Sequence, residues 1–155
     1  MLDLMIHDID LVLTLAAAPV VSVEASGESV VTRRNDVAEA RLIFADGAVA
    51  TLAASRVAEK AQRTLLVSER GKHLAADLSA QSLTETVRSP SGDRAETVPL
   101  IASDNLAAEI ADFIDSVRYR RAPMVDGQAG LAALAVADAI LSAIAAGRRL
   151  TGKFQ

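Results

Sequence analysis

The 155 residues contain only two histidines, and one lies in the stretch Asp3-Leu4-Met5-Ile6-His7-Asp8-Ile9-Asp10. On a helix, at roughly 100° per residue, Asp3, His7, Asp10 and Thr14 share an arc of about 60°. Leu4, Met5, Ile6, Ile9, Leu11, Val12, Leu13 and Leu15 fill the rest of the circumference, with Asp8 to one side. A surface helix normally shows a broad polar face and an apolar stripe. Here the pattern reads as a mostly buried helix with a narrow stripe of carboxylate, imidazole and carboxylate. Burying such groups is unfavourable unless they are paired or face a cleft. Two uses stay open: a stripe that lines a cleft, or N-terminal acids favoured by the helix dipole beside a hydrogen-bonded core histidine. Asp3, His7 and Asp10 also have a spacing that puts metal ligands on one face. A lone imidazole with carboxylates is a poor zinc set, so no metal is expected.

Composition narrows the function classes. Hydrophobic residues make up 51% and charged residues 23%, which is globular composition. The net charge of −4 argues against a nucleic-acid footprint. Aromatics are 3% with no Trp, so base-stacking platforms are not a theme. With no Cys there is no disulfide, thiol nucleophile or Cys-based zinc site, which fits a cytoplasmic protein. The first 18 residues carry no Lys or Arg and are interrupted by Asp3, Asp8 and Asp10, unlike a signal peptide. No membrane span is expected; the nearest run, Leu131 to Ala146, contains Asp138 and is alanine-rich.

The elements that must position the stripe follow from turn and period signals. The first helix should end before Pro19. Pro19 to Ala25 reads as a strand broken by Gly27, with Ser29 to Thr32 as a continuation and Arg33 to Asp36 as a polar turn. Val37 to Phe44 and Ala48 to Arg56 flank Ala45-Asp46-Gly47, a hairpin turn because Asp and Gly tolerate positive φ. Ala38, Ala40, Leu42 and Phe44 share one face of it. Further strands are expected at Arg63–Ser68, Lys72–Asp77, Gln81–Arg88 and Arg94–Leu100. Ser103 or Asp104 caps a helix with Leu106, Ile110, Phe113, Ile114 and Val117 at helical spacing. Asp126 caps a second helix, stopped by Gly147. The order predicts one α+β domain over residues 1–155: a largely antiparallel open sheet of about six strands, with helices on one face.

Two decoys are set aside. Gly147-Arg148-Arg149-Leu150-Thr151-Gly152-Lys153 has P-loop spacing, but Phe154 replaces the magnesium-binding hydroxyl and the stretch follows a helix. His73, at a strand start after Gly71, reads as exposed or structural.

Asp3-Leu4-Met5-Ile6-His7-Asp8-Ile9-Asp10-Leu11 resembles the start of the C-terminal domain of the Gfo/Idh/MocA oxidoreductases, which carry Asp-x-x-x-His-x-x-Asp on a helix. Asp36 to Ala50 resembles that family's sheet hairpin, and Pro123 to Leu134 its closing loop and helix. The resemblance covers nearly the whole chain. The first of these stretches, with Ala53-Ala54-Ser55-Arg56, looks closest to members acting on the 3-position of UDP-N-acetylglucosamine.

The resemblance implies hydride transfer from a hydroxyl of a sugar, nucleotide sugar or cyclitol. An imidazole suits the accompanying proton transfer, because its pKa lies near neutrality. By matching position, His7 is the acid/base, and Asp3 orients it or holds a substrate hydroxyl. Asp10 is the third match, on the substrate side or orienting the helix. Arg56 is placed to contact a substrate phosphate or carboxylate; the plainer alternative is a sheet-edge salt bridge. The departure from the family is large. No Gly-x-Gly-x-x-Gly occurs, and Glu59-Lys60-Ala61 only imitates the family's Glu-Lys-Pro. The Rossmann domain is therefore expected to be missing from this chain and supplied in cis or in trans. NAD or NADP would serve the complete enzyme, and none is expected to bind this chain alone. Through the open sheet face the family commonly forms homodimers or homotetramers. A free-standing, non-catalytic assembly or ligand-binding module is the competing expectation.

Overall fold

A computed structural model describes residues 2–147 and 150–154, with side chains over 4–147. The chain divides into two compact units, where a single domain was expected. The first takes residues 1–58 and 122–155, and the second takes 59–121. The α+β class and the antiparallel pairing are as expected, but the strands form two four-stranded sheets in place of one.

In the first unit, helix α1 (Leu2–Ala16) leads into strands β1 (Val20–Glu28), β2 (Val37–Phe44) and β3 (Val49–Ser55). Ala17 in the left-handed region (φ 50°) ends α1. Gly47 (φ 90°) makes the β2–β3 turn, where Asp46 Oδ1 accepts the Ala48 N–H at 3.0 Å. All pairings are antiparallel. Ala38, Ala40, Leu42 and Phe44 of β2 are buried, alternating with exposed Glu39 and Arg41. This period of two is that of a sheet packed on one side.

Helix α3 (Gly127–Ala146) returns to cover that packed side. Asp126 caps it by accepting the N–H groups of Gln128 (2.9 Å) and Ala129 (3.0 Å). Gly147 closes it in the left-handed region (φ 57°). By length and composition α3 is apolar enough to cross a membrane, which corrects the expectation of no such run. Its buried Ala133, Val136, Ala137, Ala139, Ile140 and Ala143 make it instead the core helix of this unit. It packs on β1 and α1, while α1 packs on β3. Ile9, Val20, Val23, Leu42 and Val136 are wholly inaccessible at the centre.

Gly27 does not break β1, contrary to expectation. A Cβ there would lie 2.9 Å from Asn35 Nδ2 and 3.1 Å from Ile144 Cγ2, so the missing side chain allows a close approach. Nor do residues 29–32 continue the strand. The buried Asp36 carboxylate holds them as a loop: its Oδ2 accepts the N–H groups of Val30 (3.0 Å), Val31 (2.7 Å) and Thr32 (2.7 Å). Oδ1 accepts the Thr32 hydroxyl at 2.8 Å. These bonds, led by those from Thr32 and Val31, hold the carboxyl well below the usual carboxylate range. The segment set aside as a false P-loop supplies β8 (Leu150–Phe154), an unforeseen strand that pairs with β1.

The second unit holds β4 (Thr64–Glu69), β5 (Lys72–Asp77), β6 (Ser82–Val87), β7 (Arg94–Val98) and α2 (Asn105–Tyr119). Asp104 caps α2, accepting the Ala107 N–H at 3.0 Å. No apolar residue of this unit is buried among the described residues. Leu106, Ile110, Phe113, Ile114 and Val117 of α2 have the expected helical spacing but are each at least half exposed. His73 is structural, its Nδ1 lying 3.0 Å from Ser68 Oγ across the β4–β5 pair.

Two outcomes follow for stability. Leu42→Ala should lower the unfolding free energy by about 2–5 kcal/mol, whereas Leu66→Ala, 75% exposed, should change it by less than about 0.5 kcal/mol; urea denaturation measures both. Because folding lowers the Asp36 pKa, its contribution is present above the ordinary carboxylate value and is lost as pH falls through the folded one. Asp36→Asn should therefore melt below the native chain at neutral pH. The gap should narrow as pH drops below about 4, and a gap independent of pH would remove the carboxylate charge from the account.

Candidate functional site

Helix α1 sets the direction of His7. Met5 (3% exposed) and Ile9 (0%) anchor one side of the helix in the core. Residues two apart on a helix lie on different faces, so His7, between these two anchors, is turned to the exposed side. The imidazole is exposed, Asp10 is half-buried and Thr14 is exposed. Leu4 and Leu15 are exposed as well, at 44% and 54%. The stripe is therefore not a seam in a mostly buried helix, as its apolar neighbours implied. It lies on the open side of a helix whose other side is the core. The Asp3 side chain lies outside the described residues, so the full Asp3–His7–Asp10 grouping does too.

Topology brings the start of α1 and Arg56 towards one end of the sheet. The C-terminus of α1 turns directly into β1, and the Ala45 N–H donates to the Pro19 carbonyl at 2.8 Å. That end therefore carries the β2–β3 turn. At the opposite end, the Asp36 N–H donates to the Glu28 carbonyl (2.8 Å) and the Arg56 N–H to the Asp36 carbonyl (2.9 Å). Helix α1 and β3 are in contact. By their rise per residue they are about equally long, about 22 and 23 Å. The first turns of α1, which carry His7, accordingly lie towards the Glu28–Asp36–Arg56 end. Arg56 is exposed and immediately follows β3.

Sequence reasoning missed the element that organises this end. Asp36 was read as one residue of a polar turn, yet its carboxylate fixes the 29–35 loop and its carbonyl fixes the Arg56 backbone. The signal available was an acid four residues after a threonine, at the mouth of a hairpin. A surface depression at the β6–β7 turn, lined by Glu85, Ser89, Asp93 and Arg94 among others, contains none of the candidate residues.

His7 and Arg56 are both exposed residues of the first unit. Both sheets are antiparallel in every pairing, so neither offers the parallel strand–turn–helix crevice that cradles a pyrophosphate. The described residues do not fit a nicotinamide dinucleotide.

The sequence profile of the GFO/IDH/MocA C-terminal domain matches residues 1–73. The UDP-N-acetylglucosamine 3-dehydrogenase of Acidithiobacillus ferrooxidans is 38% identical over 151 residues, which cover 94% of this chain and 48% of the relative. The crystal structure of that enzyme superposes with a TM-score of 0.86, covering 92% of this chain and 46% of the other. Two more distant structures share the fold. The aldose–aldose oxidoreductase of Caulobacter crescentus is 19% identical, with a TM-score of 0.80 over 95% of this chain and 45% of its own. A levoglucosan dehydrogenase in complex with NADH is 16% identical, with a TM-score of 0.85 over 99% and 49%. The chain thus spans about half the length of the relatives it matches. Over residues 1–73 in sequence, and over most of its length in fold, the chain is similar to the C-terminal domain of the GFO/IDH/MocA oxidoreductases and to these relatives.

Proposed function

We propose that this chain is the substrate-binding and assembly part of an enzyme that oxidises a hydroxyl of a nucleotide sugar, with the 3-hydroxyl of a UDP-linked N-acetylhexosamine as the favoured target. The observation that carries the reading is the 38% identity to a UDP-N-acetylglucosamine 3-dehydrogenase across 94% of this chain. The outward-turned His7 on a core-anchored helix supports it.

Oxidation of a secondary alcohol removes a proton from oxygen and a hydride from carbon. A nicotinamide dinucleotide, NAD or NADP, held by a separate Rossmann domain, would supply the hydride acceptor. The imidazole of His7 takes the hydroxyl proton, a task for which its near-neutral pKa is suited. Burial of Met5 and Ile9 keeps the helix from rotating, so the His7 side chain leaves the backbone on the open side. Asp3, one turn earlier, and Asp10, one turn later, bracket the imidazole along the same face. They would orient it or hold the sugar hydroxyls. Arg56 would meet the anionic part of the substrate. Assembly would use the uncovered face of the β1–β3 sheet, where Glu39, Arg41, Thr51 and Ala53 are exposed.

In the protein joined to its dinucleotide-binding domain, His7→Ala should slow the chemical step in single turnover by roughly 10²–10⁴-fold. An unchanged rate would take His7 out of the mechanism. Light scattering of the 155-residue chain should show a dimer or larger species, and a stable monomer would remove the sheet face as an assembly surface.

A further inference from the structure

We infer that the loop of residues 29–35 is an anion-binding element for a diphosphate ester, with Arg33 and Arg34 as its ligand-contacting side chains. This rests on the nucleotide-sugar reading above and adds the group that recognises the nucleotide end.

Three observations converge on it. Arg33 and Arg34 are both exposed, and among the described residues neither guanidinium forms an ion pair or a hydrogen bond. The chain has net charge −4 with 20 carboxylates to 16 Lys and Arg, so unpaired adjacent arginines are not forced by a shortage of acids. The nearest acid in sequence, Asp36, is committed elsewhere. Its two oxygens accept three backbone N–H groups and one hydroxyl of the same loop. The loop backbone is therefore held in one shape while its cations stay available. Finally, the Asp36 carbonyl fixes the Arg56 backbone, so the loop and Arg56 share the end of the sheet towards which the His7 turns of α1 point.

A planar guanidinium matches phosphate oxygens with paired, parallel N–H donors, and two of them in sequence suit two linked phosphates. Val30 and Val31, 61% and 77% exposed, stand beside the arginines and give apolar surface for a flat base. The N–H groups of Val30, Val31 and Thr32 already point at Asp36, and that of Arg34 at the Thr32 hydroxyl oxygen, so the contacts assigned to the ligand are the arginine side chains. A diphosphate ester could reach this loop from either of two molecules, the nucleotide sugar or the dinucleotide. The nucleotide sugar is favoured, because the reading above places the dinucleotide on a separate Rossmann domain.

The test is titration of the 155-residue chain with UDP, with free N-acetylglucosamine and with NAD, followed by chemical-shift changes and calorimetry. UDP should bind saturably in the millimolar range or tighter, and added salt should weaken it. Arg33→Ala/Arg34→Ala should weaken UDP at least about tenfold and leave the circular dichroism and melting curve in place, since these side chains hold nothing in the fold. Arg33→Lys/Arg34→Lys should fall between, keeping charge but losing the fork. Should the alanine pair disturb folding, Arg33→Gln/Arg34→Gln supplies the same loss of charge with a polar side chain. Unaltered UDP affinity in the folded double variant, or no UDP binding by the native chain, overturns the proposal. NAD binding as tight as UDP, and equally lost in the variant, overturns the assignment to the nucleotide sugar. Loss of His7-dependence in turnover would instead sink the preceding reading, whatever the loop does.

Discussion

Everything in the first unit depends on two helices being pressed onto one face of a three-strand antiparallel core. Ile9 from α1, Val20 and Val23 from β1, Leu42 from β2 and Val136 from α3 have no contact with water. Each buried apolar side chain of this size is worth about 1.5–3 kcal/mol, and the group is drawn from both ends of the chain. This packing does more than stabilise. It fixes the rotation of α1, because Met5 and Ile9 can both be buried in only one setting of the helix. The direction of His7 is a by-product of that hydrophobic choice.

A single carboxylate performs the comparable task for the polar end of the sheet. Asp36 is buried, and every hydrogen bond that its carboxylate accepts comes from its own loop. A buried charge is tolerable when its oxygens are met by several N–H donors. The arrangement converts the eight-residue excursion between β1 and β2 into a defined shape without any apolar anchor. Its side chains, including Val30, Val31, Arg33 and Arg34, are thereby left on the surface. Apolar burial orders the helix side of the site, and charge-assisted hydrogen bonding orders the loop side.

Local chemistry made much of this readable from residues alone. Asp46-Gly47 specified its hairpin, Asp104 and Asp126 their caps, and Gly147 the end of α3, because each acts on its immediate neighbours. The alternation of Ala38, Ala40, Leu42 and Phe44 gave the buried face of β2 for the same reason. Features set by distant partners were not legible. Gly27 looked like a strand breaker, and its role appears only when Asn35 and Ile144 are beside it. β8 is short and gains its identity from β1, far away in sequence. The amphipathic pattern of α2 foretold a helix correctly but not its exposure, since periodicity marks a face without saying what meets it. Of the site, the residue types and their common helical face were visible in the sequence. The anchoring of α1 by Met5 and Ile9, and the loop that stands at its open end, were not.

The first unit is also interrupted: its two segments, residues 1–58 and 122–155, are separated by the whole of the second unit. This has a consequence for synthesis on the ribosome. As the chain emerges, α1 and β1–β3 are complete early, but α3, which covers their apolar face, arrives only after residues 59–121 have been made. At ordinary elongation rates that is a wait of several seconds. Until β8 follows, β1 also remains an open edge, able to pair with a strand of a neighbouring nascent chain. The architecture that brings both ends of the chain into one core therefore leaves the growing polypeptide exposed at its stickiest point, and it makes the C-terminal residues a condition for the N-terminal helix to be held in place.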